Sequence, residues 1–257
     1  MQKFVRTAVL FAACMLAALA LTSCDVDAFG KEKMIMAGKV LVAEGQDDFT
    51  RGHISVRLPD NPLLFFMKPH SLGLDEITQE NILTIDLEGE VVAGGSRRHS
   101  EVYIHSEIYK ARPDVHCVLH THPPYSIALS SSARSIKPYS QPSAMFYEAL
   151  GLYTDTINLI RTHEMGAGVA KALGPHRAVL LKNHGVVVAA PSVEEVAISV
   201  IMLENAAMIQ MITEAAGDAA PEFPRADIEQ LKHDISRPEQ FAINFDYLAR
   251  RIKRREG

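Results

Sequence analysis

A short apolar run in residues 115–124, V-H-C-V-L-H-T-H-P-P, ends in two histidines, His120 and His122. On an extended strand, residues two apart point to the same side. Both imidazoles can therefore face one point where the strand stops. A second apolar run, residues 178–190, reads A-V-L-L-K-N-H-G-V-V-V-A-A and carries His184 at its break, with Gly185 turning the chain. Three neutral imidazoles at strand ends, with a carboxylate nearby, suit a catalytic divalent metal with an open coordination position. A lone histidine beside an apolar run is more often a satisfied core or surface residue, and this chain has eleven histidines. The combination of H-x-H closing one strand and N-H-G closing another carries the metal reading.

Those strands need a scaffold. With 257 residues, 47% of them hydrophobic and 22% charged, the chain can bury a sizeable core as one large domain. Its net charge is −5 with no basic block in the body, which argues against nucleic-acid binding. The basic run Arg250, Arg251, Lys253, Arg254, Arg255 fits a solvated helix end.

Residues 1–23 stand apart. Lys3 and Arg6 precede an apolar run that ends in Leu21-Thr22-Ser23-Cys24. A basic start, an apolar stretch and small residues make a secretory signal. The L-T-S-C ending resembles a bacterial lipobox, with Cys24 lipidated as the first mature residue in the cell envelope. The alternative is an over-extended start, with Met34 or Met36 opening a cytoplasmic protein. Residues 24–257 then form the single domain. Of three cysteines, Cys14 falls in the signal and Cys24 would carry lipid, so only Cys117 remains and no internal disulfide is expected.

Along the chain, residues 31–44 have helical spacing, and residues 53–57 and 63–67 read as strands around Pro59-Asp60-Asn61-Pro62. Residues 82–87 and 90–93 form a hairpin about Glu88-Gly89. Residues 100–111 make a helix with Ser100 as its cap and Glu101 in the first turn. A glutamate there is favoured by the helix dipole alone. A helix follows at 125–130, then a strand at 156–160 and a helix at 164–173 closed by Gly174. Ser192 and Glu195 form a capping box for the longest helix, which is apolar nearly all round and therefore buried. A loop at 217–224 and a final helix at 238–252 complete the chain. Alternating strands and helices predict an α/β domain with a mostly antiparallel or mixed central sheet and helices on both sides.

The H-S-E-x-x-x-H segment at 99–105, the H-x-H strand and the N-H-G strand together resemble the class II aldolase/adducin family, from about residue 36 to 251. The resemblance implies a three-layer α/β/α domain and four-fold homotetramers with active sites at subunit interfaces. It implies a divalent metal, zinc first, with manganese, iron or cobalt as alternatives, held by His120, His122 and His184. Glu101 would be the acid/base. A metal so held can stabilise the enolate left when a carbon–carbon bond breaks.

The departures from the family pattern point to the substrate. Sugar-phosphate members carry G-N-x-S, a T-G or S-G loop and Ser-Ser-Glu to cradle phosphate. Here those places read Gly52-His53-Ile54-Ser55, Lys68-Pro69-His70-Ser71 and Arg98-His99-Ser100-Glu101. Cationic groups and imidazoles suit carboxylates. The tyrosine that serves aldolases as proton donor falls near Gln141 or Tyr139. These changes favour the decarboxylase branch, with a hydroxylated aromatic or keto dicarboxylate as the small-molecule substrate. His53, Ser55, Lys68, His70, Arg98 and Ser100 are the candidate substrate-binding residues. The alternatives are aldol cleavage of a hydroxy-keto acid or sugar phosphate, a sugar-phosphate epimerase, and a non-catalytic adducin-like assembly module.

Overall fold

The computed structural model describes residues 23–217 and 223–257. The signal-like segment expected at residues 1–23 lies outside them, apart from its last residue. Part of the loop expected at 217–224 also lies outside.

The chain opens with α1 (Ser23–Ala43), which starts earlier than its apolar spacing predicts. It then builds a mixed eight-stranded sheet from β1 (His53–Arg57), β2 (Leu64–Met67), β3 (Leu83–Asp86), β4 (Val91–Ala93), β5 (Cys117–Thr121), β6 (Leu150–Tyr153), β7 (Ala178–Leu181) and β8 (Gly185–Ala190). The strand order is β4-β3-β2-β1-β5-β8-β7-β6. Every pairing is antiparallel except β6 with β7. Between the strands lie α2 (Val102–Ala111), α3 (Pro124–Ser131), α4 (Gln141–Ala144) and α5 (His163–Leu173). Three helices follow the sheet: α6 (Val193–Ala215), α7 (Arg225–Ile235) and α8 (Pro238–Glu256).

Side-chain alternation divides the core into two layers. Ile54, Phe66, Leu119, Leu180 and Val188 face α1, α6 and α8. Phe65, Met67, Val118, Val179 and Val187 face α2 and α5. This is the three-layer α/β/α arrangement with helices on both faces. Among the described residues, α6 is the one helix long and apolar enough to cross a membrane. Its buried positions instead pack in the first core layer, as an all-round apolar helix inside a domain must. The Ser192 hydroxyl accepts from the Glu195 amide at its start, half of the expected capping box. The other hydrogen bond joins the Ser192 hydroxyl to the Glu195 carboxylate.

Two local expectations are corrected. Residues 156–160 form no strand, and the edge strand is β6, Leu-Gly-Leu-Tyr. Glycine weakens a strand signal. Here it is required, because a Cβ on Gly151 would stand 2.2 Å from the Ala172 carbonyl oxygen of α5. Ser100 is not the cap of α2. Glu101 takes that position with no capping bond from its side chain, which leaves its carboxylate free for other partners. Helix α7 has no counterpart in the apolar spacing, since only Ile228 on it is buried.

Candidate metal centre

The sheet delivers His120 first. It is the fourth residue of β5, and on β1 His53 stands directly opposite it. Both are fully buried on the α2 side of the sheet. The chain leaves β5 through His122-Pro123-Pro124 into α3. Glu204 of α6 fixes that exit by accepting the amides of Tyr125 and Ser126 at 2.9 and 2.8 Å. A carboxylate there also suits the helix N-terminus. His184 comes from the turn between β7 and β8. Asn183 beside it adopts φ +57, a left-handed conformation that asparagine tolerates, and its amide donates to the Ser130 hydroxyl. Gly185 is needed next, because a Cβ there would lie 2.5 Å from Thr121 O and 2.9 Å from His122 Cδ2.

His120, His122 and His184 therefore converge, with ligand atoms all within 4.8 Å of one another. The His120 Nδ1–H donates to the Val186 carbonyl at 2.9 Å, which leaves its Nε2 lone pair facing the site. That Nε2 is 3.3 Å from His184 Nε2. The Nδ1 of His122 lies 3.1 Å from Asp48 Oδ2. No hydrogen bond joins the two atoms, so the carboxylate acts on the ring through its charge. Burial, then His122 and His184, hold His120 well below the ordinary histidine range. Burial and His184 lower His122 to about 4, against the pull of Asp48. Burial, then Arg51, lowers His184. Three imidazoles kept neutral, with lone pairs directed to one point, are the donor set a divalent cation takes.

Glu101 completes the arrangement. Its Oε1 accepts the Ile160 amide at 2.9 Å and lies 3.5 Å from His184 Nε2. Its Oε2 is 3.9 Å from both His120 Nε2 and His53 Nε2. Burial raises its pKa, while the Ile160 amide and Arg161 pull it back down. The loop at 156–160, expected as a strand, is thus what holds the carboxylate.

A cavity of about 460 Å3 opens onto this group and is lined by Glu101, His122 and His184 together with Arg51, His70 and Ser100. Of the expected substrate-binding residues, only His70 and Ser100 line it. Ser55 is fully buried, bonded to His105 and Tyr109. Lys68 is also fully buried. Its ammonium donates to the carbonyls of Thr50 and Pro69, at 3.3 and 3.2 Å, and of Leu72. Burial lowers it to about 8, against Glu76. It fastens the loop that presents His70. Arg98 lies over the Tyr103 ring, 3.8 Å from Glu90, outside the cavity lining. His53 sits behind the lining, its ring 5.0 Å from that of His120.

Asp48, Arg51, His105 and Tyr109 were not foreseen in these roles. His105 had a signal: it follows Glu101 by four residues, so the two share one helix face. Asp48 and Arg51 come from an irregular stretch that no periodicity marks.

Residues 32–211 match the family described as class II aldolase and adducin N-terminal domain. The chain is 30% identical to 3,4-dihydroxyphthalate decarboxylase of Arthrobacter keyseri, over 78% of this chain and 85% of that protein. It is 31% identical to decarboxylase NovR of Streptomyces niveus, over 72% of this chain and 68% of the relative. The fold superposes on L-fuculose 1-phosphate aldolase from Glaciozyma antarctica with a TM-score of 0.82 and 25% identity, covering 92% and 93% of the two chains. With the family matched over most of its length and the three-histidine site in place, the chain is a member of the class II aldolase/adducin family.

Proposed function

We propose that this protein is a divalent-metal-dependent carbon–carbon lyase that decarboxylates a hydroxylated aromatic or keto dicarboxylate. The observation that carries the reading is the placement of one buried carboxyl, Glu101, against His120 and His184 at the wall of a polar cavity. His120, His122 and His184 would hold the cation, with zinc the first choice and manganese, iron or cobalt as alternatives. When bound, such a cation supplies Lewis-acid stabilisation of oxygen anions.

The chain's own groups do the rest. Arg51 at the cavity wall, with His70 and Ser100, binds the carboxylate that stays on the substrate. The bond from the substrate carbon to the departing carboxylate breaks, its electron pair remains as an enolate, and CO2 leaves. The Glu101 carboxyl, kept protonated more readily by burial, then delivers its proton to that carbon. Similarity to two decarboxylases supports this choice.

The test is CO2 release from a panel of hydroxyaryl and β-keto dicarboxylates with Zn2+, Mn2+ or no metal. Metal-dependent release that disappears in Glu101→Gln supports the assignment. Metal binding with no release from any candidate moves the reading to aldol cleavage, which the superposition on the fuculose-phosphate aldolase favours. An adducin-like assembly role fits less well, because all three histidines and Glu101 are in place.

Class II aldolases are often homotetramers, and we assign this chain the same state. Ile157 and Leu159 on the cavity wall, 63% and 40% exposed, and Phe49 beside Asp48, 85% exposed, support burial against a second copy. We also assign residues 1–23 as a lipoprotein signal with the anchor at Cys24. Lipid labelling lost in Cys24→Ala supports that; a native protein beginning at Met34 or Met36 defeats it.

A further inference from the structure

Behind the site runs a line of four buried side chains. His53 Nδ1 is 2.7 Å from His105 Nε2. His105 Nδ1 is 2.6 Å from Ser55 Oγ, and Ser55 Oγ is 2.8 Å from Tyr109 Oη. All four residues are at most 2% exposed. They share a face because β1 alternates His53, Ser55 and Arg57 toward α2, while His105 and Tyr109 are four apart on that helix.

A hydroxyl can accept twice but donates once, so each proton in the line must be placed where it finds an acceptor. The Tyr109 end decides it. Burial, then Cys117, keeps the phenol protonated well above its usual range. Among the described residues, Ser55 Oγ is the only side-chain partner its hydroxyl has. Tyr109 therefore donates to Ser55, and the Ser55 hydroxyl donates to His105 Nδ1, because its hydrogen has no other acceptor among the described residues. His105 carries its proton on Nε2 and donates to His53 Nδ1. The remaining proton of His53 must then sit on Nε2. The reverse sense would strand the buried tyrosine hydroxyl without an acceptor among the described residues.

The His53 Nε2 so protonated is fully buried, has no hydrogen-bond partner among the described residues, and faces Glu101 Oε2 across 3.9 Å. The spacing of His53, Glu101 and His120 would otherwise also suit a metal. We infer that His53 is not a fourth metal ligand but a fixed N–H donor that positions Glu101, with its tautomer set from Tyr109 through Ser55 and His105. A protonated ring nitrogen has no lone pair for a cation. The metal then belongs to the His120, His122, His184 group, and the His53 N–H dipole faces the acid/base carboxyl from behind as an electrostatic contact at 3.9 Å.

This inference rests on the metal-dependent reading above, but its test needs no turnover. Zn2+ affinity would be measured by chelator competition for wild type, His53→Ala and His122→Ala. Affinity within about threefold of wild type in His53→Ala, beside a loss of about 100-fold in His122→Ala, supports the inference. A comparable loss in both overturns it. On uniformly 15N-histidine-labelled wild type, long-range 1H–15N spectra read each ring tautomer, with His53→Gln and His105→Gln assigning the two signals. Protons on Nε2 of both rings support the chain; His53 protonated at Nδ1 overturns it. In the 113Cd-loaded form, three histidines coupled to the cation support it and four overturn it. A wild type that binds neither Zn2+ nor Cd2+ defeats the metal reading and leaves the tautomers to decide this one.

Discussion

Replacing Gly185 with alanine should separate the metal centre from the fold that carries it. A Cβ at this position meets Thr121 O at 2.5 Å, His122 Cδ2 at 2.9 Å and His120 Cε1 at 3.2 Å. Carbon and carbonyl oxygen rest comfortably at about 3.3 Å, so β5 and β8 must part by about 0.8 Å. Overpacking of this kind costs about 2 kcal/mol. For a chain of this size that lowers the unfolding midpoint by roughly 4–8 °C. The His122 ring must also retreat by about 0.6 Å to reach ordinary contact. Metal–ligand distances tolerate only about 0.2 Å. Zn2+ affinity should therefore fall by about 10- to 100-fold, with the protein still folded at room temperature. The assay is chelator competition beside thermal unfolding. Gly95→Ala is the control, since an added carbon there meets nothing within 4 Å. Unchanged affinity and an unchanged midpoint in Gly185→Ala would refute the packing argument and the placement of both rings.

Glu101→Gln should abolish turnover by at least about 100-fold in kcat while leaving the melting temperature nearly unchanged, because the amide oxygen can still accept from Ile160. Lys68→Met removes the donor to three loop carbonyls and should cost about 1–3 kcal/mol in urea unfolding, with substrate KM raised only through a looser His70. The metal-free protein should weaken in acid. Burial holds His99 and His105 to about 3 in the folded state. Above pH 6.5 the unfolded chain is neutral at these positions too, so their contribution is complete. As pH falls from 6.5 toward about 3, the unfolded state takes protons that the folded state refuses, and stability drops by about 1.4 kcal/mol per histidine per unit. Urea midpoints that stay flat between pH 7 and pH 5 would contradict that.

The period-two alternation made His120 and His122 legible, because a strand's pattern tells which side chains share a side. The N-H-G turn was legible because asparagine and glycine mark a break between two apolar runs. What stayed hidden was the pairing of strands. His53 stands opposite His120 only because β1 inserts between β2 and β5, and no local pattern states that register. The same blindness misassigned Ser55 and Lys68, whose types suit substrate binding. Their burial depends on which face of the sheet α2 covers and on how the 69–72 loop folds back. The strand expected at 156–160 failed for a related reason. Ile157 and Leu159 are apolar at alternate positions, yet they border the cavity, and only Ile160 is fully buried.

The strand order also sets a timetable. His120 and His184 lie 64 residues apart in sequence, and the Glu101 carboxylate is held by an amide 59 residues further on. β1, which backs the site, pairs directly with β5, although β2, β3 and β4 separate the two in sequence. The chain must therefore be synthesised past His184 before the three histidines can converge. Closing such long loops carries an entropic cost that only the assembled sheet can offset. A cation that needs all three histidines therefore finds its full donor set only after β8 has joined the sheet. Whichever compartment completes the sheet is the one whose metal supply fills the site.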